Sequence, residues 1–447
     1  MLLKYFYRII LISSVVLLLY TFYKSEIFWT GSKRDYYLIY YFISLILFSI
    51  SLLSFFIPHQ IKSYFMIIML SVFFSLYSFE FFLTYKSSKS NNDIFDKEIM
   101  DKYEKDTGKK FDKRKKIEIF QDFETKNKNN VVAVKPYQHL DSKNIFPLSG
   151  ISNSKTIHCN ENGYYSVYYS DRYGFNNPDV EWENNYYEYV AIGDSFVHGA
   201  CVNRPNDISS ILRILSNKPV LNLGYDGNGP LLEYAALREY LPKNVNKILW
   251  FYYEGNDLFF LDYEFTNVIL KKYLANDTFS QNLKFKQKII NKKLINVMNE
   301  SFEIKNNQDQ GVFLKTLYDF SFKIDKVRTL LQRLLPNRYQ SHSTPNVQPM
   351  FVEIIKKTLD LSNHNKSELV FVYLPEYKRY KNNYSDKNYL KIKSEIKKMG
   401  IKFIDIHEEF FKKEENPLSF FPFEKHGHYT VDGYKKISEI VFKLTTD

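Results

Sequence analysis

The sequence predicts an α/β protein: a doubly wound parallel five-stranded sheet preceded by three N-terminal transmembrane helices. Three observations predict it. From about residue 186 onward, short apolar runs alternate with amphipathic helical runs; the first apolar run stops abruptly in Gly193-Asp194-Ser195; and a sharp drop in hydropathy falls near residue 85.

The alternation predicts strands over Tyr189–Ile192, Val220–Leu223, Lys247–Tyr253, Glu368–Leu374 and Ile401–Ile406. It predicts helices over Asp207–Ser216, Leu231–Leu241, Val352–Leu361, Leu390–Met399 and Asp432–Leu444. Short apolar strands alternating with helices give a parallel sheet covered on both faces. Between Asp257 and Pro345, roughly 90 residues rich in Lys, Asn and Phe break the pattern, with helical periodicity over Phe285–Met298 and Phe313–Leu335. This insertion, about 258–345, is either a lid or cap over the site or an exposed helical decoration. Residues 136–180 hold short β-like pieces such as Gly163–Tyr169, broken by turn signals, and form a small leading element. The organisation is then three spans over 1–85, a charged linker over 86–135 and the α/β domain over 136–447.

The mean hydropathy of −0.34 conceals the split at residue 85. Ile9–Tyr23 lies between Arg8 and Lys24, Tyr36–Ile57 follows Lys33-Arg34-Asp35, and Ser63–Tyr85 follows Lys62. The second and third reach the ~20 residues a spanning helix needs; the first reaches it with Tyr5 and Phe6, while Arg8 and Lys24 snorkel. No small-residue cleavage site follows the first run, which argues against a signal peptide. Lys4 and Arg8 favour an inside N-terminus and an extracytoplasmic C-terminal domain, facing the periplasm if the source is bacterial; the basic run at 102–116 pulls the other way.

The net charge of +11 comes from lysines interspersed with acidic residues, without a helix-turn-helix or RNA-recognition pattern, so nucleic acid is not the expected partner. Lys-rich segments beside the spans suit membrane lipid or acidic glycans. The two cysteines, Cys159 and Cys201, can pair in an oxidising compartment or stand as buried thiols; two thiols are the preferred reading.

Four blocks carry chemistry: Gly193-Asp194-Ser195 with Gly199; Asn222-Leu-Gly-Tyr-Asp-Gly227; Glu254-Gly-Asn-Asp257; and His426-Gly-His-Tyr-Thr-Val-Asp-Gly-Tyr434. The first three follow predicted parallel strands, and carboxyl ends of such strands share one crevice. These blocks resemble those of the SGNH (GDSL-type) hydrolase superfamily over about 188–447, the insertion apart. The resemblance implies an SGNH-like, flavodoxin-like three-layer fold. It implies Ser195 as nucleophile and His428 as general base, with an oxyanion hole from the backbone N–H groups of Ser195 and Gly227 and the Asn256 amide. It extends to membrane-anchored members that modify acyl groups on cell-surface glycans.

Each role has a physical reason. Donors about 3 Å from a developing oxyanion are worth roughly 3 kcal/mol each. A glycine at 227 lets the backbone come close, Asn256 is a donor that does not titrate, and a histidine exchanges the serine proton near neutral pH. Asp194 is expected to hold its turn through backbone N–H groups. The family's aspartate three positions before the histidine is here Lys425, so Glu424 is the nearest candidate for the orienting acid. His198 either lines the pocket or is exposed, and the 171–176 segment reads as a turn into the sheet. His426 and His428 have a ligand-like spacing without a suitably placed third ligand, and the glycines at 224, 227 and 229 are not in dinucleotide-binding order; no metal or cofactor is expected.

The expected activity is ester hydrolysis through an acyl-Ser195 intermediate, removing O-acetyl or similar groups from a cell-surface carbohydrate. Two alternatives share these residues. One is O-acyl transfer to surface polysaccharide, with a membrane acyltransferase as partner. The other is a catalytically inactive glycan-binding or scaffold module, motivated by the missing aspartate.

Overall fold

The structure, a computed structural model, describes residues 2–29, 31, 34–89, 92–125, 129–306, 327, 330, 346–381 and 384–446. The chain forms two compact units, residues 1–96 with 305–343, and residues 97–304 with 344–447.

In the first unit, α1 (Leu2–Phe22) continues into a π-helical turn, followed by α2 (Arg34–Leu53) and α3 (His59–Lys89). Two stretches, Tyr5–Phe28 and His59–Thr84, are long and apolar enough to cross a bilayer, and Tyr37–Leu53 is a shorter apolar helix. Three full spans were expected. The second run falls short because α2 begins on Arg34 and Asp35 and stops at Leu53, ahead of Pro58, where the chain turns. Within the unit, the Tyr7 hydroxyl donates to the Lys62 carbonyl at 2.9 Å and Ser51 Oγ donates to the Tyr7 carbonyl at 2.6 Å.

The boundary between the units falls within α4 (Asn92–Thr107). Next come α5 (Lys116–Glu124) and a small sheet of β1 (Asn130–Val132), β2 (Lys155–Ile157) and β3 (Val167–Tyr169), with β1 and β2 parallel and β2 and β3 antiparallel. Within the charged stretch 86–135, α4, α5 and β1 are joined by irregular segments, and Tyr103, Ile119 and Val131 are buried.

The main sheet uses β4 (Tyr187–Gly193), with α6 (Ser195–His198) and α7 (Ile208–Ser216) after it, then β5 (Val220–Asn222), α8 (Pro230–Tyr240) and β6 (Val245–Tyr253). The expected insertion follows as α9 (Asp257–Glu264), α10 (Val268–Ala275) and α11 (Gln287–Asn306). Then come α12 (Pro349–His364), β7 (Glu368–Leu374), α13 (Lys387–Lys398), β8 (Lys402–Asp405) and α14 (Val431–Thr446). The five strands lie in the order β5-β4-β6-β7-β8, all parallel. Successive residues of β4 and β6 feed opposite cores: Val190, Ile192, Ile248 and Trp250 join α8 and α12, while Tyr189, Ala191, Leu249 and Phe251 join α7 and α14. Burial on both faces is why these strands read as unbroken apolar runs. Strand order reverses about β4, so a crevice opens at its carboxyl end.

The described part of the insertion is tied into the domain. Glu239 of α8 accepts from Tyr273 Oη at 2.5 Å and from the backbone N–H of Leu283 at 3.0 Å, and α11 reaches the leading segment through Asn291 Nδ2, which donates to Ser152 Oγ at 2.9 Å. Phe313–Leu335 lies outside the described residues, Val327 and Leu330 apart.

The loop after β6 is fixed by a buried ion pair. Arg379 Nε donates to Glu254 Oε2 at 2.9 Å, with both side chains 5% exposed. Arg379→Ala leaves the Glu254 carboxylate buried without its cation and is expected to cost about 3–5 kcal/mol, measured as the loss of unfolding free energy in urea.

Candidate active site

The turn Gly193-Asp194-Ser195 ends β4, the strand that carries the switch point and lies between β5 and β6. Asp194 caps the short helix α6 by accepting from the Phe196 N–H at 2.9 Å, as expected for an aspartate in such a turn. Gly199 closes that helix at φ +83°, where an added Cβ would lie 2.6 Å from Asp207 Cβ. The result is a hydroxyl held at a helix N-terminus, 4% exposed.

Ser195 Oγ donates to His428 Nε2 at 2.8 Å, although 233 positions separate them. The contact from Ser195 Oγ to Asp194 Oδ2 is weaker, at 3.4 Å. On its far side, His428 Nδ1 donates to Glu161 Oε2 at 3.0 Å, and the His428 backbone N–H donates to the same oxygen at 2.6 Å. Glu161, not Glu424, is therefore the carboxylate at the imidazole. Glu424 is exposed and accepts instead from Asn416 Nδ2 at 3.1 Å. Gly427 makes room for the acid: a Cβ there would lie 2.8 Å from Glu161 Oε2.

Burial disfavours the imidazolium of His428, but the charge of Glu161 and its hydrogen bond outweigh burial and hold the His428 pKa above its ordinary value. Burial likewise works against the Glu161 carboxylate, and His428 more than offsets it, so the acid is held below the usual range. The sequence signal for Glu161 lay in the cysteines. Cys159 and Cys201 form a disulfide, contrary to the preferred thiol reading, and this ties the segment two residues before Glu161 to the segment six residues after Ser195. Cys201 Sγ lies 3.9 Å from His428 Nδ1. Glu161, Cys201 and His428 are the metal-type cluster among the described residues, but the disulfide occupies its sulfur.

The second and third blocks reach the same end of the sheet. The Tyr225 N–H donates to the Gly193 carbonyl at 3.2 Å, joining the Gly227 loop to the serine turn. Gly227 sits at φ +89°, a left-handed conformation that favours glycine. Behind it, the Asp226 N–H donates to His198 Nδ1 at 3.0 Å, so His198 is a buried support for the loop rather than a pocket wall. The Asp226 carboxylate accepts from His158 Nε2 at 2.9 Å and pairs with Lys135 Nζ at 3.1 Å. Burial alone would raise the pKa of Asp226; His158 and Lys135 overcome it and hold the group well below the carboxylate range. Asn256 stands at the N-terminus of α9, its Oδ1 buried without a partner. Asp257 Oδ2 accepts from the Tyr253 N–H at 2.8 Å and is a structural neighbour of the site. The 171–176 segment is a turn built on the Asp171 carboxylate, which accepts from the Tyr173 and Phe175 N–H groups, both at 2.9 Å.

A cleft of about 370 Å³ lies beside these loops, lined by Tyr103, Lys109, Asn162, Tyr164, Thr430 and Asp432 among others. Asn162 adjoins Glu161 in the chain, and Thr430 is two residues beyond His428.

Fold and site together define a parallel α/β protein with the serine at the switch point and the late histidine in contact with it. No family model and no curated protein matches the chain. Among solved structures, it is similar to a candidate lipolytic protein of the G-D-S-L family from Desulfitobacterium hafniense DCB-2, at 15% identity and a TM-score of 0.30, over 57% of this chain and 98% of that one.

Glu161→Gln removes the negative charge beside His428, and Gly427→Ala displaces that carboxylate. Both are expected to lower the His428 pKa, read as the midpoint of its imidazole signals in an NMR titration.

Proposed function

We propose that the protein is a serine ester hydrolase that works through an acyl-Ser195 intermediate. The observation that carries this reading is the continuous line Glu161–His428–Ser195, with hydrogen bonds of 3.0 and 2.8 Å, at the carboxyl end of β4. His428 accepts the Ser195 proton as the hydroxyl oxygen attacks the ester carbonyl, and Glu161 favours the imidazolium that forms. The Ser195 and Gly227 backbone N–H groups and the Asn256 amide are the proposed donors to the tetrahedral oxyanion. When that intermediate collapses, His428 returns the proton to the leaving alcohol. The same base then activates the water that releases the acid. The inactive-module reading was motivated by Lys425 in place of an aspartate; Glu161 removes that motive.

The proposed substrate is an O-acylated carbohydrate at the cell surface. The cleft supports it, since two tyrosine rings among hydroxyl, amide and oppositely charged groups suit a sugar's apolar faces and hydroxyls. The two long apolar stretches, Tyr5–Phe28 and His59–Thr84, support a membrane anchor. The disulfide supports an oxidising, extracytoplasmic site for the hydrolase unit.

Detergent-solubilised full-length protein is expected to hydrolyse an aryl acetate and to be labelled by a fluorophosphonate. Ser195→Ala should abolish labelling and lower kcat/KM by on the order of 10⁴-fold or more; wild-type protein that is folded yet neither labelled nor active overturns the reading. The base works only when neutral, so activity falls as pH drops through the raised His428 pKa. Glu161→Gln should move that acid limb to lower pH while reducing kcat by on the order of 10²–10⁴-fold. A phosphatase reporter fused after Asp447 is expected to be active only in its exported form; a cytoplasmic result rejects the proposed side of the membrane.

A further inference from the structure

The Glu161 loop has little regular structure of its own. Residues 161–164 form a bend between β2 and β3. Side chains flanking the acid do the holding: Asn160 Nδ2 donates to the Asp112 carbonyl at 2.8 Å, and Asn162 Nδ2 donates to the Cys201 carbonyl at 3.0 Å. The covalent link is Cys159–Cys201, and Cys201 follows the helix of the nucleophile. Cys201 itself adopts φ +61°, a left-handed conformation uncommon for a non-glycine residue and held only where the surroundings fix it. Those surroundings are the disulfide, the Asn162 amide and the neighbouring Ala200 carbonyl, which accepts from Tyr434 Oη at 3.3 Å. The Cys201 sulfur also packs against the ring nitrogen that serves Glu161.

We propose that Cys159 and Cys201 are positioning residues for the reaction: their disulfide fixes Glu161 on His428, so that the serine is fully activated only while the disulfide is closed. The proposal rests on the hydrolase reading above. Opening the bond requires a dithiol reductant. One reductant thiolate attacks a protein sulfur and displaces the other as thiolate; its second thiol then closes on the mixed disulfide. The protein gains two thiols, taking up two electrons and two protons, and the reductant leaves as its cyclic disulfide. With the covalent link open, the Glu161 loop keeps hydrogen bonds alone, the two asparagine tethers and the Asp112 N–H to the Gly163 carbonyl at 2.9 Å among them, and a displacement of about 1 Å at such a group costs on the order of 10²-fold in rate.

The test uses full-length protein in detergent, with aryl acetate kinetics and NMR titration of His428 read in parallel. The forms compared are oxidised wild type, wild type reduced with dithiothreitol, Cys159→Ser/Cys201→Ser, Glu161→Gln and the triple variant. Opening the disulfide is expected to lower kcat by on the order of 10²-fold, with KM changed less than about twofold, and to lower the His428 titration midpoint as Glu161→Gln does. In the Glu161→Gln background, adding the serine pair should reduce kcat by no more than about twofold further, because the positioned group is already gone. Reoxidation of the reduced wild type should restore both readouts, which keeps the test decisive if the double serine variant does not fold. Unchanged kcat and midpoint after reduction overturn the proposal. So does a loss equally large with and without the Glu161 carboxylate, since that reports general destabilisation. An oxidised wild type without turnover or phosphonate labelling refutes the hydrolase reading instead, and the histidine midpoint then still reports whether the disulfide places Glu161.

Discussion

One imidazole, held between a hydroxyl and a carboxylate, is the interaction on which the rest of the site depends. His428 reaches partners 233 and 267 positions away and lies where burial disfavours its charged form. A base in that position takes a proton from serine only if the resulting cation is stabilised in place. Glu161 supplies most of that stabilisation, with Asp226 and Asp194 adding to it at longer range. In the proposed reaction these groups are in place before substrate arrives, so little reorganisation would accompany the proton transfer, and the benefit would fall on the charge-separated state.

The scaffold explains how such distant groups meet. The parallel sheet brings the serine, glycine and asparagine turns to one edge, because each follows a strand that runs the same way. The histidine arrives from the loop before α14, a helix packed on the same face as α7. The leading segment completes the site from outside the main sheet. Lys135 and His158 grip the carboxylate of Asp226, whose own N–H rests on His198, and this network backs the glycine turn at 227. A buried carboxylate with two partners of this kind is costly to disturb, which keeps that turn in register with Ser195.

The main sheet was legible because its strands are buried on both faces and leave unbroken apolar runs, so that Glu368–Leu374 has the same limits in sequence and structure. The serine–histidine contact was legible because both residues sit in local blocks whose spacing is set by a strand end and a helix start. Three features were not. The second apolar run was too generous by four residues, since composition does not register the turn before Pro58. The stretch 86–135 looked like a linker because a few anchors, Tyr103 and Ile119 among them, carry its packing without any periodic signal. Glu161 was invisible because its role depends on a contact spanning most of the chain, and proximity in sequence to His428 pointed to Glu424 instead. Pairing the two cysteines would have placed Glu161 near the serine segment, but two cysteines alone do not declare whether they pair.

The relocation of the acid changes what the protein must stabilise. An aspartate three residues before the histidine would share its loop and come into place as that loop folds. Here that position is Lys425, and the acid comes from a bend between two short strands of a different sheet. Bringing it to the histidine requires ordering a segment with little core of its own. A covalent closure between positions 42 apart reduces the unfolded chain's freedom by about 4 kcal/mol in the loop-entropy account. It acts next to the group that needs placing, and the glycine at 427 leaves space for the carboxylate to approach the histidine backbone. Disulfide, glycine and relocated acid are therefore parts of one arrangement: the contact that a neighbouring aspartate would make locally is here made by a distant segment, and it is secured by a bond that persists in an oxidising compartment.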